Sequence, residues 1–486
     1  MSIARDAVAG AAILRGSANG HDLVSLVACG EPARERARAL ADLDTALPSP
    51  AAFAVAGARV EGLATTPDFH PGRPVPVGVA LAVRGAILPH VVGSDIGCGM
   101  RLLALKGVPA ETVRARLPEI ARHLRHLLFQ GGRDVALAGS QRRALLHDGM
   151  PGLVEALRGG NPGLLGRLDL AGAEDDLDRT CDLGAFFAGG IHPGFTDYAA
   201  PGADFRWDGI AGSLGGGNHF VEIGVVDRVV DGAFAHAAGL LAGDVTLCVH
   251  SGSLDLGQRV ATDVRDALRG DPAGSGRDPR VLALGSPLAR RYATGLANAG
   301  NFAYGNRFLL GLVAAEAVRR ATGREPEARL VYDAAHNMAW TEGERVLHRK
   351  GACPARGGDA MLGSPYAHLG EPVILPGSMG DATWLLRGLG AATTLSSSAH
   401  GAGRRLSRGE ARRIGAPPPG LCVVGPVDLA DPALRGRADV LGEARARLAE
   451  EAPAAYRPVE AVAAPMEAAG VAARAARILP LVTAKG

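Results

Sequence analysis

Strand-like runs at Val245–His250, Arg329–Tyr332, Pro372–Leu375 and Leu421–Val424 pass directly into loops, several of them rich in Gly, Ser, His and Asn. A stiff strand feeding a loop of small polar residues aims backbone and a few side chains at a fixed point, which is how α+β enzymes place their chemistry. Helical periodicity is interleaved with these runs, at Pro32–Leu47, Ala110–Leu128, Ser286–Thr322 and Pro458–Ile478. No period of roughly 20–50 residues repeats, so solenoids and propellers are excluded. No linker clearly divides the chain, and a single large domain over residues 1–486 is expected, with Gly159–Thr196 as a loop-rich insertion.

Composition narrows the class further. Gly and Pro, 68 and 31 of 486 residues, stay below the roughly 25–30% that marks low-complexity chains. The longest apolar stretches fall short of the ~18–20 residues that span a bilayer, so no membrane association is expected. The first twenty residues mix an acidic residue with basic ones and hold no continuous apolar core, which argues against a secretory signal. Net charge is only +2, from 52 basic and 50 acidic residues, so any nucleic-acid contact must come from a local patch. The six cysteines (Cys29, Cys98, Cys181, Cys248, Cys353 and Cys422) form no CxxC pair. In a chain long enough to bury an ample core, that pattern points to a reducing, cytoplasmic setting.

The histidines recur in similar company. The segments are SDIGCGMR (Ser94–Arg101), GGGNHFVEI (Gly215–Ile223), HSGS (His250–Ser253), DAAHN (Asp333–Asn337), HRKGA (His348–Ala352), PGSMG (Pro376–Gly380) and SSAHGAGRRLSR (Ser397–Arg408). Glycine, serine and asparagine cannot fill a core, but they let a backbone approach a ligand closely. Any one such histidine is as well explained by a hydrogen-bonded turn; several in one chain are not. Asp95 and Cys98 form an Asp-x-x-Cys pair, and with His219, His250 and His336 they offer carboxylate, thiolate and imidazole donors. Such a set suits a borderline divalent ion such as Mn, Fe, Co or Zn, and a thiolate can bridge two ions. From the residues alone, convergence of these donors stays open. After His400, a loop of minimal bulk leads to two arginines, and Ser407-x-x-Glu410 reads as a capping box opening a helix. Small loop, arginines and helix N-terminus form a phosphate-binding setting, against the plainer reading of a capped surface turn.

In this order the segments, preceded by PDFHPGRPVPVG (Pro67–Gly78) and followed by the terminal Lys485-Gly486, resemble the RtcB-type RNA-splicing and repair ligases. The likeness runs from about Pro67 to the last residues, and only the first sixty or so fall outside the clear match. It implies an α+β fold, a large central β-sheet assembly surrounded by helices. It further implies a GTP- and manganese-dependent ligase, with two manganese ions. Such an enzyme joins RNA ending in a 2′,3′-cyclic phosphate or 3′-phosphate to RNA with a 5′-hydroxyl. His400 would attack the α-phosphorus of GTP, and the guanylate would then pass to the RNA 3′-phosphate.

Carried over residue by residue, Asp95, Cys98, His219, His250 and His336 match metal ligands. Asn218, His219, Phe220, Val221, Glu222, His336 and Asn337 match guanylate contacts, as do Pro376, Gly377, Ser378, Met379 and Thr383. Gly401, Ala402, Gly403, Tyr456 and Lys485 complete that set, and Lys350, Arg404 and Arg408 match basic positions near the RNA. Glu222 can accept from guanine N1 and N2 protons, and Tyr456 offers a stacking face. Expected partners are RNA with these ends, with room for an accessory activating protein. The chain also departs from the pattern. Leu254-Asp255-Leu256-Gly257 follows HSGS where the family usually has Arg-Gly-Leu-Gly, and Pro71, Arg73 and Thr383 are milder changes. The missing arginine keeps open a nucleotidyltransferase or phosphoesterase with another acceptor. A catalytically silent RNA-binding scaffold is the third reading, and it has no need of His400, five candidate ligands and Lys485 together.

Overall fold

The computed structural model describes residues 4–8, 11–200, 204–269, 278–414 and 421–486. Helices and strands are mixed throughout, and among the described residues two large sheets carry the architecture. One has seven strands in the spatial order Ala4–Val8, Ala11–Ala18, His21–Val27, Arg59–His70, Val77–Arg84, Arg345–Lys350 and Asn337–Glu342. The other has eight, running Glu327–Ala335, Gly99–Lys106, Val245–Ser251, Phe220–Val229, Ala472–Lys485, Thr383–Gly388 and Pro372–Pro376, with Cys422–Val424 paired in parallel to the long Ala472–Lys485 strand.

The helix Pro287–Thr322 is the axis of the larger core. Ser286 caps its start by accepting from the Ala289 amide, and Gly323 in the left-handed region ends it. From Gly295 to Val318 nearly every residue is buried, including Asn298, Asn301, Asn306 and Arg307. A helix buried on all sides must satisfy such polar groups from its neighbours. It does: Asn298 and Asn301 both donate to the Leu146 carbonyl on the Gly139–Leu157 helix. No helix among the described residues is long and apolar enough to cross a membrane.

The expected helices at Pro32–Leu47 and Ser286–Thr322 correspond to Ala33–Ala46 and Pro287–Thr322, and the expected strands all form. Ala110–Leu128 is two helices, Ala110–Ala115 and Leu117–Phe129, broken at Arg116. Pro118 has no amide to donate and so belongs to the first turn of a new helix. Pro458–Ile478 is a helix only over Val459–Ala468. Gly470 turns the chain at φ 67°, and the alanine-rich Ala472–Lys485 segment becomes a strand between two others. Pairing on both edges overrides the helical preference of alanine. Gly159–Thr196 contains only short helical turns, among them Gly163–Arg167, Leu170–Asp175 and Pro193–Phe195.

Candidate active site

The register of the eight-stranded sheet gathers the histidine segments. Phe220 lies opposite His250 on one side and Lys485 on the other; His250 faces Met100, and Gly99 faces both Ser251 and Ala335. In an antiparallel sheet the end of one strand meets the beginning of the next. Cys98, His219, His250, His336 and Lys485 therefore converge at one edge although they span most of the chain.

There, donor atoms of Asp95, Cys98 and His219 lie within 4.8 Å of one another, as do those of Cys98, His250 and His336. Cys98 belongs to both groups, its Sγ 3.3 Å from His219 Nε2 and 3.2 Å from His250 Nε2. The His219 Nδ1–H donates to the Leu214 carbonyl and the His250 Nδ1–H to that of Asn218, each at 3.1 Å. A carbonyl only accepts, so these bonds put a proton on each Nδ1 and turn both Nε2 atoms toward the thiol, with His219 Nε2 also 3.4 Å from Asp95 Oδ2. Burial drives the His250 and His336 imidazoles far below their usual range, reinforced by neighbouring imidazoles, and so keeps them neutral. Burial opposes the charge of Asp95, but His219 and Cys98 hold its carboxyl below the usual range. Burial, then Asp95, pushes the Cys98 thiol well up. His336 Nδ1 is buried with no hydrogen-bond partner. Three imidazoles, a thiol and a carboxylate with an orphaned nitrogen fit one or two borderline divalent ions, with Cys98 at the shared position.

Beside this cluster stands His400, its ring 4.7 Å from that of His336. It follows the short strand Ser397–Ala399, which pairs with Ala352–Pro354. Its Nδ1–H donates to Asp68 Oδ2 at 2.6 Å, and its backbone N–H donates to the same oxygen at 3.1 Å. Asp68 is fully buried on the Arg59–His70 strand. Burial disfavours its charge, yet His400, together with the Thr66 hydroxyl, holds its carboxyl below the ordinary range. The ring is thus held with Nδ1 on Asp68 and Nε2 turned away from it. Close approach of Asp68 to the loop requires glycine: a Cβ on Gly403, at φ 70°, would lie 2.6 Å from the Asp68 carbonyl oxygen.

His400 lines a cavity, and most of the expected nucleotide residues line it too. Asn218 comes from the turn before the Phe220–Val229 strand, Phe220 and Glu222 from its beginning, Pro376, Gly377, Ser378 and Met379 from the PGSMG segment, and Gly401, Ala402 and Gly403 from the loop after His400. Tyr456 and Lys485 line it as well. Glu222 accepts from the Thr483 hydroxyl at 2.7 Å, and burial raises its carboxyl to about 7. Lys485 Nζ lies 3.4 Å from Glu451, which also accepts from the Tyr456 hydroxyl.

Other expected residues lie elsewhere. Val221 is in the core, and Thr383 is buried behind the cavity, next to the Glu222 carboxyl. Asn337 donates to the carbonyls of Val92 and Asp95, bracing the Asp95–Cys98 turn. Of the three basic residues expected near RNA, Lys350 is turned inward and donates to the Val92 carbonyl at 2.9 Å. Arg404 lines the cavity but is tied to Glu451 at 3.2 Å and to the Tyr456 hydroxyl at 2.8 Å, its guanidinium over the Tyr456 ring. Arg408 opens the helix Arg408–Ile414, capped as expected by Ser407 and Glu410, and its side chain is 60% exposed. Sequence reasoning assigned no role to Asp68, His70, Glu451 or Thr483. Asp68 and His70 stand in the quoted PDFHPG segment, the one signal that could have found them.

A carboxylate, a thiol and three imidazoles beside a cavity lined by His400 form an arrangement suited to metal-assisted group transfer. Residues 51–486 match the family described as tRNA-splicing ligase RtcB. The chain is 35% identical over 444 residues to an RNA-splicing ligase RtcB of Mycobacterium tuberculosis, covering 86% of this chain and 96% of that one. It is 32% identical over 446 residues to a tRNA-splicing ligase RtcB of Aeropyrum pernix, covering 86% and 87%. A relative from Thermococcus kodakarensis is 33% identical over 442 residues, covering 86% of each chain. The chain belongs to the RtcB family of RNA ligases.

Proposed function

We propose that the chain joins RNA ends carrying a 3′-phosphate or 2′,3′-cyclic phosphate to 5′-hydroxyl ends, using GTP, two manganese ions and a covalent guanylyl-histidine at His400. The observation that carries the reading is the Asp68–His400 pair, which holds the His400 ring by its Nδ1 on the cavity wall directly beside the candidate ligand cluster. Manganese held by Asp95, Cys98, His219, His250 and His336 would neutralise the phosphate charge that otherwise repels a nucleophile.

His400 Nε2 forms a bond to the α-phosphorus of GTP while the bond to pyrophosphate breaks. Asp68 stabilises the positive imidazole that results. Glu222, when ionised, accepts from guanine N1 and N2 and selects guanine over adenine, while Lys485 and Glu451 orient the nucleotide in the cavity. The RNA 3′-phosphate then takes the guanylate from His400, and the 5′-hydroxyl displaces GMP; a cyclic phosphate is first opened by hydrolysis. RNA substrates, a cytoplasmic setting and room for an accessory activating protein belong to this same reading.

The test is incubation with α-labelled GTP and manganese, followed by RNA of defined ends. An acid-labile, alkali-stable adduct that disappears in His400→Ala, and is discharged by 3′-phosphorylated RNA, is the expected result. Persistent labelling of His400→Ala would sink the assignment.

A further inference from the structure

Three of the segments that carry the candidate metal ligands meet one guanidinium outside the cluster. Arg307, on the Pro287–Thr322 helix, is completely buried. Its Nη1 donates to the carbonyl of Gly97 at 2.6 Å and to that of Ser251 at 3.1 Å, and its Nε donates to Asp333 Oδ1 at 2.8 Å. Gly97 precedes Cys98, Ser251 follows His250, and Asp333 lies three residues before His336. The seat of the first segment is equally tight: a Cβ on Gly97 would come within 2.7 Å of Ala303 Cβ and 3.0 Å of Gly300 Cα, both on the face of the helix that carries Arg307. Next along the helix, Asn306 donates to the Gly252 carbonyl at 3.2 Å and to the Ser251 hydroxyl at 3.0 Å.

We infer that Arg307 is a positioning residue for the metal centre, fixing the mutual spacing of Cys98, His250 and His336 from behind. The five-donor planar fork of arginine can serve two carbonyls and a carboxylate at once, which a lysine ammonium cannot do in the same geometry. The charge is balanced locally. Asp333 also receives Arg101 at 3.4 Å, and Arg101 is itself paired with Asp176 at 2.7 Å, so two buried guanidiniums face two carboxylates. Charge neutrality explains why the group can be buried; the two carbonyl bonds explain why it is at this place. A purely structural ion pair would need only Asp333, whereas Arg307 also spends donors on the backbone of both remaining ligand segments.

The inference rests on the reading of the cluster as a metal site, and the experiment separates the two. Wild-type protein is titrated with cobalt(II) and with manganese(II); cobalt bound through Cys98 gives a near-ultraviolet thiolate charge-transfer band. Absence of binding and of the band in the wild type would overturn the metal reading itself. With the wild type binding, Arg307→Lys is expected to keep its circular dichroism, to lose about 10–100-fold in metal affinity, and to show a weakened or shifted band. The double variant Arg307→Met with Asp333→Asn removes both charges and is expected to show the same loss. Wild-type affinity and an unchanged band in either folded variant would overturn the positioning role. Failure of both variants to fold would also overturn it, making Arg307 a residue of stability alone.

Discussion

The two ends of the active-site region are built on opposite plans. At the inner end three of the four imidazoles are held by their Nδ1 atoms: His219 and His250 by backbone carbonyls and His400 by a buried carboxylate, while Cys98 lies between His219 and His250. At the outer end the basic groups are held loosely or are already engaged. Arg408 is 60% exposed with Glu450 at 3.6 Å, Arg412 shares that same glutamate, and Arg404 is bound to Glu451. Leu254, where the family resemblance expects an arginine, adopts φ 54° and packs so close to Gly215 that a Cβ there would be 2.5 Å from its side chain. Exposed ion pairs contribute little and exchange partners readily, whereas buried donors cannot move without leaving a charge or lone pair unsatisfied. The inner end should therefore fail abruptly on substitution, and the outer end should grade.

The largest effect is expected from Cys98→Ala. It removes a donor common to both groups, so metal binding and guanylylation should fall by more than the roughly 10–100-fold typical of losing an outer partner. Full labelling at low manganese would place Cys98 among merely buried residues. Next comes Asp68→Asn, which keeps the shape but removes the charge that stabilises the imidazolium. By analogy with carboxylate–histidine pairs elsewhere, labelling rate should drop by about 10²–10⁴-fold, with GTP affinity nearly unchanged. An unaffected rate would break the claim that Asp68 holds His400 for chemistry.

Glu222 gives a smaller, pH-dependent effect. Burial raises its carboxyl to about 7, above its value in the unfolded chain, so its contribution to stability is present at low pH and lost as pH rises toward 7. Without nucleotide, thermal stability should therefore decline between about pH 4.5 and 7, and Glu222→Gln should flatten that slope. Guanine recognition runs the other way: the KM for GTP should rise as pH falls below about 7 in the wild type and not in Glu222→Gln. Identical pH profiles for the two proteins would refute both statements.

The smallest effect belongs to the rim. An arginine–phosphate contact contributes about 1.5–3 kcal/mol, so Leu254→Arg should speed the joining of 3′-phosphate ends by about tenfold or more at dilute RNA, leaving guanylylation unchanged. Asp255 is paired with Arg259 at 2.7 Å, one turn along the Asp255–Arg269 helix, but that pair is exposed and exchangeable, so capture of the new guanidinium by Asp255 would reduce the gain. No gain in joining would show that other groups on the outer end hold the RNA phosphate.

The sequence by itself determined the chemical inventory: which donors exist, that they sit in loops of small residues, the capped turn after His400 and the ordered segments that mark the family. It also announced the long buried helix, because apolar periodicity is local information. Only the tertiary structure decided which of these residues meet. Strand register brings Cys98, His219, His250 and His336 to one sheet edge, and a one-residue slip would turn every side chain to the other face. Asp68 and His400 are partners across 332 residues, and Arg307 reaches backbone that no pattern of side chains could announce. Lys350 and Arg404 show the same limit from the other side. Their charge was legible, but whether a cation faces RNA, a carbonyl or a carboxylate depends on what stands within about 3 Å of it, and that distance exists only in the folded chain.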